Sequence, residues 1–138
     1  MGSTVVSVTR RYRFCGQHRL HSEQLSDEEN RRIFGKCNNA NGHGHNYVVY
    51  VTVRGPMDSK TGQVVDLQTL DRIVEQRIVA RFDHQDLNLD PAFATKTTTG
   101  ENLARYIWEL LVGAIPHGQL EKIGVVETRD NYFEYAGA

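Results

Sequence analysis

Side chains that bind metals or move protons crowd into the stretch from Cys37 to Tyr47, CNNANGHGHNY. His43 and His45 flank one glycine at the start of a run that alternates as a β-strand, so both imidazoles leave the same face and can converge on one ion. His18 follows a first strand, and pairing the two strands brings it alongside as a third nitrogen. Three neutral nitrogens with a fourth position open describe a catalytic zinc site; a structural site has four protein ligands. The same residues also fit a polar loop, and Cys37 alone also fits a small buried apolar side chain. Asp83 and His84, in FDHQDLN, fit a helix C-terminal cap as well as a proton relay. Glu127, in GVVET, is harder to dismiss, because a carboxylate among apolar strand residues costs free energy unless it is paired or faces a ligand.

The elements that must carry these groups show in the periodicity. Residues 5–14 alternate partially between Val, Tyr or Phe and polar side chains and predict a first strand. Residues 45–54 are the clearest strand, with His45, Tyr47, Val49, Val51 and Val53 on one face. The intervening SEQLSDEENRRIFGKCNNANG is polar and rich in turn formers, and reads as a long surface excursion of the kind that is usually functional. Asp66 is an N-cap for a helix through Phe82, with Leu67, Leu70, Val74 and Ile78 at helical spacing. Thr98-x-x-Glu101 has the form of a capping box and starts a second helix with Leu103, Ile107, Leu110 and Leu111 turned inward. Residues 123–128 and 132–135 are two short strands joined by RDN. The order ββααββ predicts an α+β fold, an antiparallel sheet with two helices on one face. A sheet this small leaves edges exposed, which predicts a symmetric homo-oligomer.

At 138 residues, 39% hydrophobic and 24% charged, the chain fits a single globular domain over 1–138 and neither disorder nor a coiled coil. A net charge of −1 gives no general reason to bind nucleic acid or an anionic membrane, so any anion is held locally. No apolar run reaches the length of a membrane span, and MGSTVVSVTRRYRF lacks a basic start and an apolar h-region. Val6 breaks the myristoylation pattern that Met1 and Gly2 begin. The expectation is a cytoplasmic protein, with Cys15 and Cys37 reduced.

The motifs RRYRFCGQHRL, FGKCNNANGHGHNY, DSKTGQVVDLQTL, FDHQDLNLD, TTTGENLARYIW and VVETRDNYFEY follow one another in an order and at spacings that resemble the 6-pyruvoyl-tetrahydropterin synthase family over almost the whole chain. That resemblance implies the tunnelling fold, in which ββααββ subunits join their sheets into a trimeric barrel and two barrels stack as a hexamer. It implies that His18, His43 and His45 bind zinc, that Cys37, Asp83 and His84 are catalytic, and that Glu127 anchors the pterin, helped by Thr99 and Glu101. It also implies that the site lies between subunits, and that the small-molecule substrate is 7,8-dihydroneopterin triphosphate. Arg19, Lys36 and the cluster Arg10, Arg11 and Arg13 are candidates for holding the triphosphate. Where the family commonly has small residues before the first histidine, this chain has FCGQH. Cys15 has the opposite strand parity to His18 and reads as packing. The related 6-carboxy-tetrahydropterin synthases typically have three residues between the cysteine and H-G-H, whereas this chain has five, as the pyruvoyl-forming enzymes do. A relative acting as an aldolase replaces the cysteine by glutamate. A noncatalytic zinc or pterin binder on the same fold is the rival of another class.

Overall fold

The computed structural model describes residues 4–138; the first residues of the opening stretch, and of the span 1–138, lie outside it. Strands β1 (Val5–His18) and β2 (His43–Pro56) pair antiparallel along their whole length, from Val5 opposite Pro56 to His18 opposite His43. Each is longer than the alternation alone predicts, and the added residues include His18 and His43. Helix α1 (Asp27–Phe34) lies between them. The polar excursion is therefore not all loop. Ser26 Oγ accepts from the Glu29 N–H and Glu29 Oε1 accepts from the Ser26 N–H, each at 3.1 Å, a complete capping box. The helix buries no apolar stripe. Asn30 is its one buried residue, donating to the Ser22, Leu25 and Ser26 carbonyls and accepting from the Ser22 N–H.

Helix α2 begins at Leu67–Val74, widens to a π turn over Glu75–Val79 and ends in Ala80–Phe82. Asp66 caps it as expected, accepting from the Thr69 N–H at 3.1 Å. Helix α3 (Gly100–Leu111) is capped by Thr99, which accepts from the Asn102 N–H, and not by Thr98. The cap moves one residue because Thr98 is buried and engaged elsewhere. Both helices lie on one face of the sheet: Leu70, Val74, Ile78, Leu103, Ile107 and Leu111 are fully buried against the inward side chains of β1, β2 and β4 (Gln119–Thr128).

β4 pairs antiparallel with β2 and with β5 (Asn131–Tyr135), and the two-residue β3 (Gln85–Asp86) pairs parallel with β1 at Gly16 and Gln17, giving the order β3-β1-β2-β4-β5. The sheet is mixed, not purely antiparallel as expected. After α2 the chain reverses at His84, the one described non-glycine residue with positive φ (58°). The His84 N–H donates to the Cys15 carbonyl at 2.6 Å and the Cys15 N–H donates to Asp83 Oδ1 at 2.9 Å. Two main-chain groups on the outer edge of β1 thus capture the chain, which satisfies them. The sheet is open, with β3 and β5 at its edges. No helix among the described residues is long and apolar enough to cross a membrane.

Candidate metal and active site

The even residues of β1 face the helices, so Tyr12, Phe14 and His18 are buried while Arg11, Arg13 and Cys15 are exposed. The same alternation on β2 continues Val49 and Tyr47 into His45, and on β4 it continues Ile123 and Val125 into Glu127. Three strands therefore end their apolar faces in a polar residue at the same margin of the sheet. The side chains of His18, His45 and Glu127 are only 0%, 5% and 9% exposed.

Cys37 reaches this margin from a different direction. It sits in a single 3₁₀ turn, Gly35–Asn38, directly after α1. The Leu20 N–H donates to the Cys37 carbonyl and Asn38 Nδ2 donates to the Leu20 carbonyl, both at 2.6 Å; Asn38 Nδ2 also meets His21 Nδ1 at 3.0 Å. The turn is thus stitched to the residues that follow β1. Potential ligand atoms of His18, Cys37, His45 and Glu127 lie within 4.8 Å of one another.

The tautomer of His18 is fixed. Its Nδ1 lies 2.9 Å from the Thr98 carbonyl, which can only accept, so Nδ1 carries the proton and Nε2 presents its lone pair to the cluster. The Tyr47 hydroxyl lies 3.4 Å from the same Nδ1. Nε2 of His18 and of His45 approach Glu127 Oε1 at 3.0 Å and 2.9 Å. Neither contact has hydrogen-bond geometry, and these two are the buried side-chain nitrogens without a partner among the described residues. Two buried imidazole nitrogens aimed at one point beside a carboxylate and a thiol are what a metal ion satisfies, and nitrogen donors with a thiol suit zinc.

Electrostatics reinforce the grouping. Burial lowers the His45 pKa, Glu127 works against that, and His18 and His43 add to it, keeping the imidazole neutral as a ligand must be. Burial alone would raise the Glu127 pKa, but contact with His18 and the influence of His45 and His43 outweigh it and hold the carboxyl below its ordinary value. Burial and the Glu127 charge push the Cys37 thiol up.

The other sequence-derived candidates are placed differently. His43 lies outside the four-residue group, its ring meeting His45 edge-on with centroids 4.5 Å apart. Asp83 and His84 stand at the β3 edge; Asp83 Oδ2 and His84 Nε2 are 3.6 Å apart, and the His84 side chain is 80% exposed. Thr99 caps α3 and Glu101 lies exposed in its first turn. Cys15 is exposed on the open face, its thiol donating to Asn46 Oδ1 at 3.0 Å, so it is not a packing residue; nor does it belong to the convergent group. Arg10 is occupied by a two-point contact with Asp71, and Arg19 Nε donates to the Asn38 carbonyl. Three contributors escape the sequence reading: the Thr98 carbonyl, the Asn38 amide and the Tyr47 hydroxyl. Only Tyr47 carried a signal, its place two residues after His45 on the same strand face.

A family model described as 6-pyruvoyl tetrahydropterin synthase matches residues 7–138. The chain belongs to the 6-pyruvoyl tetrahydropterin synthase family. It is 50% identical over 131 residues to the 6-pyruvoyl tetrahydrobiopterin synthase of Homo sapiens, covering 94% of this chain and 90% of that one. The Drosophila melanogaster 6-pyruvoyl tetrahydrobiopterin synthase is 46% identical over 135 residues, covering 96% and 80% respectively. The structure of the Caenorhabditis elegans 6-pyruvoyl tetrahydropterin synthase superposes with a TM-score of 0.93 at 42% identity, over 100% of both chains. Within this family the convergent His18, Cys37, His45 and Glu127 form the candidate zinc centre.

Proposed function

We propose that the chain is a zinc-dependent lyase that converts 7,8-dihydroneopterin triphosphate to 6-pyruvoyl-tetrahydropterin and releases triphosphate. One observation carries this reading: within a family of that name, His18 and His45 keep buried, unpartnered Nε2 atoms beside the Cys37 thiol and the Glu127 carboxylate. His18, His43 and His45 would hold the zinc, His43 standing next to His45 with ring centroids 4.5 Å apart. Bound there, zinc supplies a Lewis acid for the side-chain oxygens of the substrate and a positive charge that favours the Cys37 thiolate.

The chain's own groups do the rest. Glu127, kept ionised, accepts two parallel hydrogen bonds from the 2-amino group and ring N–H of the pterin, as a carboxylate reads a guanidinium. Those bonds fix the ring, so that the substrate side chain is held for proton transfer to Cys37. Cys37 then takes a proton from the substrate side chain, and His84, oriented by Asp83, relays it. Thr99 and Glu101 help to hold the ring. As the family resemblance implies a site shared between subunits, the Asp83–His84 pair, with His84 exposed at the β3 edge, serves the site of a neighbouring subunit. The open edges β3 and β5 are closed in a homo-oligomer, a barrel of three chains stacked as a hexamer. The span 1–138 acts as one domain, and free Cys15 and Cys37 suit the reducing cytoplasm.

The test is incubation of zinc-loaded protein with 7,8-dihydroneopterin triphosphate without a reductant, with products identified by mass. Pyruvoyl-tetrahydropterin and triphosphate are expected. Carboxy-tetrahydropterin with acetaldehyde would overturn the product assignment, and tight binding without turnover would overturn the assignment as an enzyme.

A further inference from the structure

The Cys37 turn has a second side. It opens on a cleft of about 400 Å³ lined by Arg31, Gly35, Lys36, Asn38, Asn39 and His43. No carboxylate lines this cleft, and Arg31 and Lys36 form no ion pair among the described residues. Both side chains are exposed. Gly35 brings them together: it ends α1 with φ 53° and ψ −125°, a backbone that suits glycine, and its N–H donates to the Arg31 carbonyl. Nothing lies within 4 Å of where a Gly35 side chain would begin, so the glycine serves the turn and not packing. A larger cleft, about 680 Å³, opens beside Gln17 and Thr97. It holds Arg19 and Lys96, but Glu23 and Asp86 line it too and offset their charge.

The position of this carboxylate-free cleft relative to the metal centre gives it a role. Glu127 lies on β4, and His45 and then His43 follow along β2 toward the margin of the sheet. A substrate whose ring is anchored at Glu127 and whose side chain passes His45 sends its tail toward His43, and His43 lines this cleft. Asn38, next to Cys37, lines it as well, so the reacting end of the side chain and the cleft share one turn. The chain has a net charge of −1, so a polyanionic tail requires local cations. The geometry points to this cleft as the triphosphate subsite, with Arg31 and Lys36 as its specificity-determining residues. The assignment rests on the substrate class proposed above.

Calorimetric titration of the zinc-loaded full chain with inorganic triphosphate tests the subsite without requiring turnover. Lys36→Gln and Arg31→Gln are each expected to lower the affinity about tenfold, the scale of one charge-assisted hydrogen bond. Binding by the unsubstituted chain should weaken as salt is raised. In turnover, both variants should raise KM for the triphosphate substrate at unchanged kcat and zinc content. Arg32, adjacent in α1 but not lining the cleft, is the control; Arg32→Gln should bind like the unsubstituted chain. The subsite is overturned if neither cleft variant weakens triphosphate binding, if Arg32→Gln weakens it equally, or if the losses appear in Arg19→Gln and Lys96→Gln instead. A chain that binds inorganic triphosphate through Arg31 and Lys36 yet forms no pterin product supports the subsite and refutes the proposed reaction. A chain that forms product while both cleft variants behave normally refutes only the subsite.

Discussion

Replacing Asn38 by alanine isolates the stitch that holds Cys37 in place. Asn38 is 7% exposed and its amide donates to the Leu20 carbonyl at 2.6 Å and meets His21 Nδ1 at 3.0 Å. Each hydrogen bond contributes roughly 1 kcal/mol net, and a carbonyl left without its donor costs up to about 1 kcal/mol more where water reaches it poorly. The sum is a loss of about 2–3 kcal/mol in stability. With a urea dependence of about 1.5 kcal/mol/M, the unfolding midpoint falls by roughly 1–2 M at fixed protein concentration. The Cys37 carbonyl keeps its bond from the Leu20 N–H, so the turn stays attached at one point and swings about it. A reacting group misplaced by about 1 Å loses on the order of 100-fold in rate. The expected variant therefore folds, binds zinc through β1 and β2 as before, and shows kcat lowered about 10- to 100-fold. Urea unfolding followed by circular dichroism, metal analysis and steady-state kinetics read the three quantities. A variant with normal kcat and midpoint refutes the stitch, and one that loses zinc shows that the turn supports the metal centre instead.

Glu127→Gln removes the charge that reads the pterin edge while keeping the shape, and is expected to raise KM by about 10- to 100-fold, since a charged hydrogen-bonded partner contributes roughly 1.5–3 kcal/mol; unchanged substrate affinity would contradict the role. His43→Ala should lower zinc affinity, measured by competition with a chelating dye, beyond the roughly 10- to 100-fold that follows loss of a merely orienting partner; a smaller loss makes His43 a neighbour and not a ligand. Gly100→Ala drives a Cβ into the Phe133 ring and should cost about 1–3 kcal/mol by overpacking, a cost that vanishes in a Phe133→Ala background. The two-point contact with Arg81 holds the Asp90 carboxyl below its ordinary pKa. Its stabilisation is fully present above the unfolded value of about 3.9 and is lost as pH falls through the lower folded value. Asp90→Asn should therefore flatten acid unfolding while lowering stability at neutral pH.

Side-chain pattern was legible in the sequence wherever it acts through burial. The alternation from His45 to Val53, the stripe through Leu70, Val74 and Ile78, and the anomaly of Glu127 in an apolar strand each lead to a buried core position or to the convergent site. What escaped acts through the main chain. α1 has a full capping box but no apolar stripe, because Asn30 and not a leucine docks it. β3 is two residues laid beside β1 after main-chain groups of Cys15 capture Asp83 and His84 just before it, which alternation cannot register. The helix cap falls on Thr99 because the Thr98 carbonyl is committed to His18, and three successive threonines look alike in sequence.

That commitment has a genetic consequence. The acceptor that sets which nitrogen of His18 faces the metal is a peptide oxygen, so no replacement of the Thr98 side chain deletes it. A mutational screen would find position 98 tolerant of changes that respect its small buried volume. The vulnerable positions lie where the start of α3 is set, above all Gly100 with its ring contact to Phe133. A substitution there, far in sequence from any histidine, would surface as a defect in metal retention, and a variant catalogue sorted by distance from the ligands would misfile it.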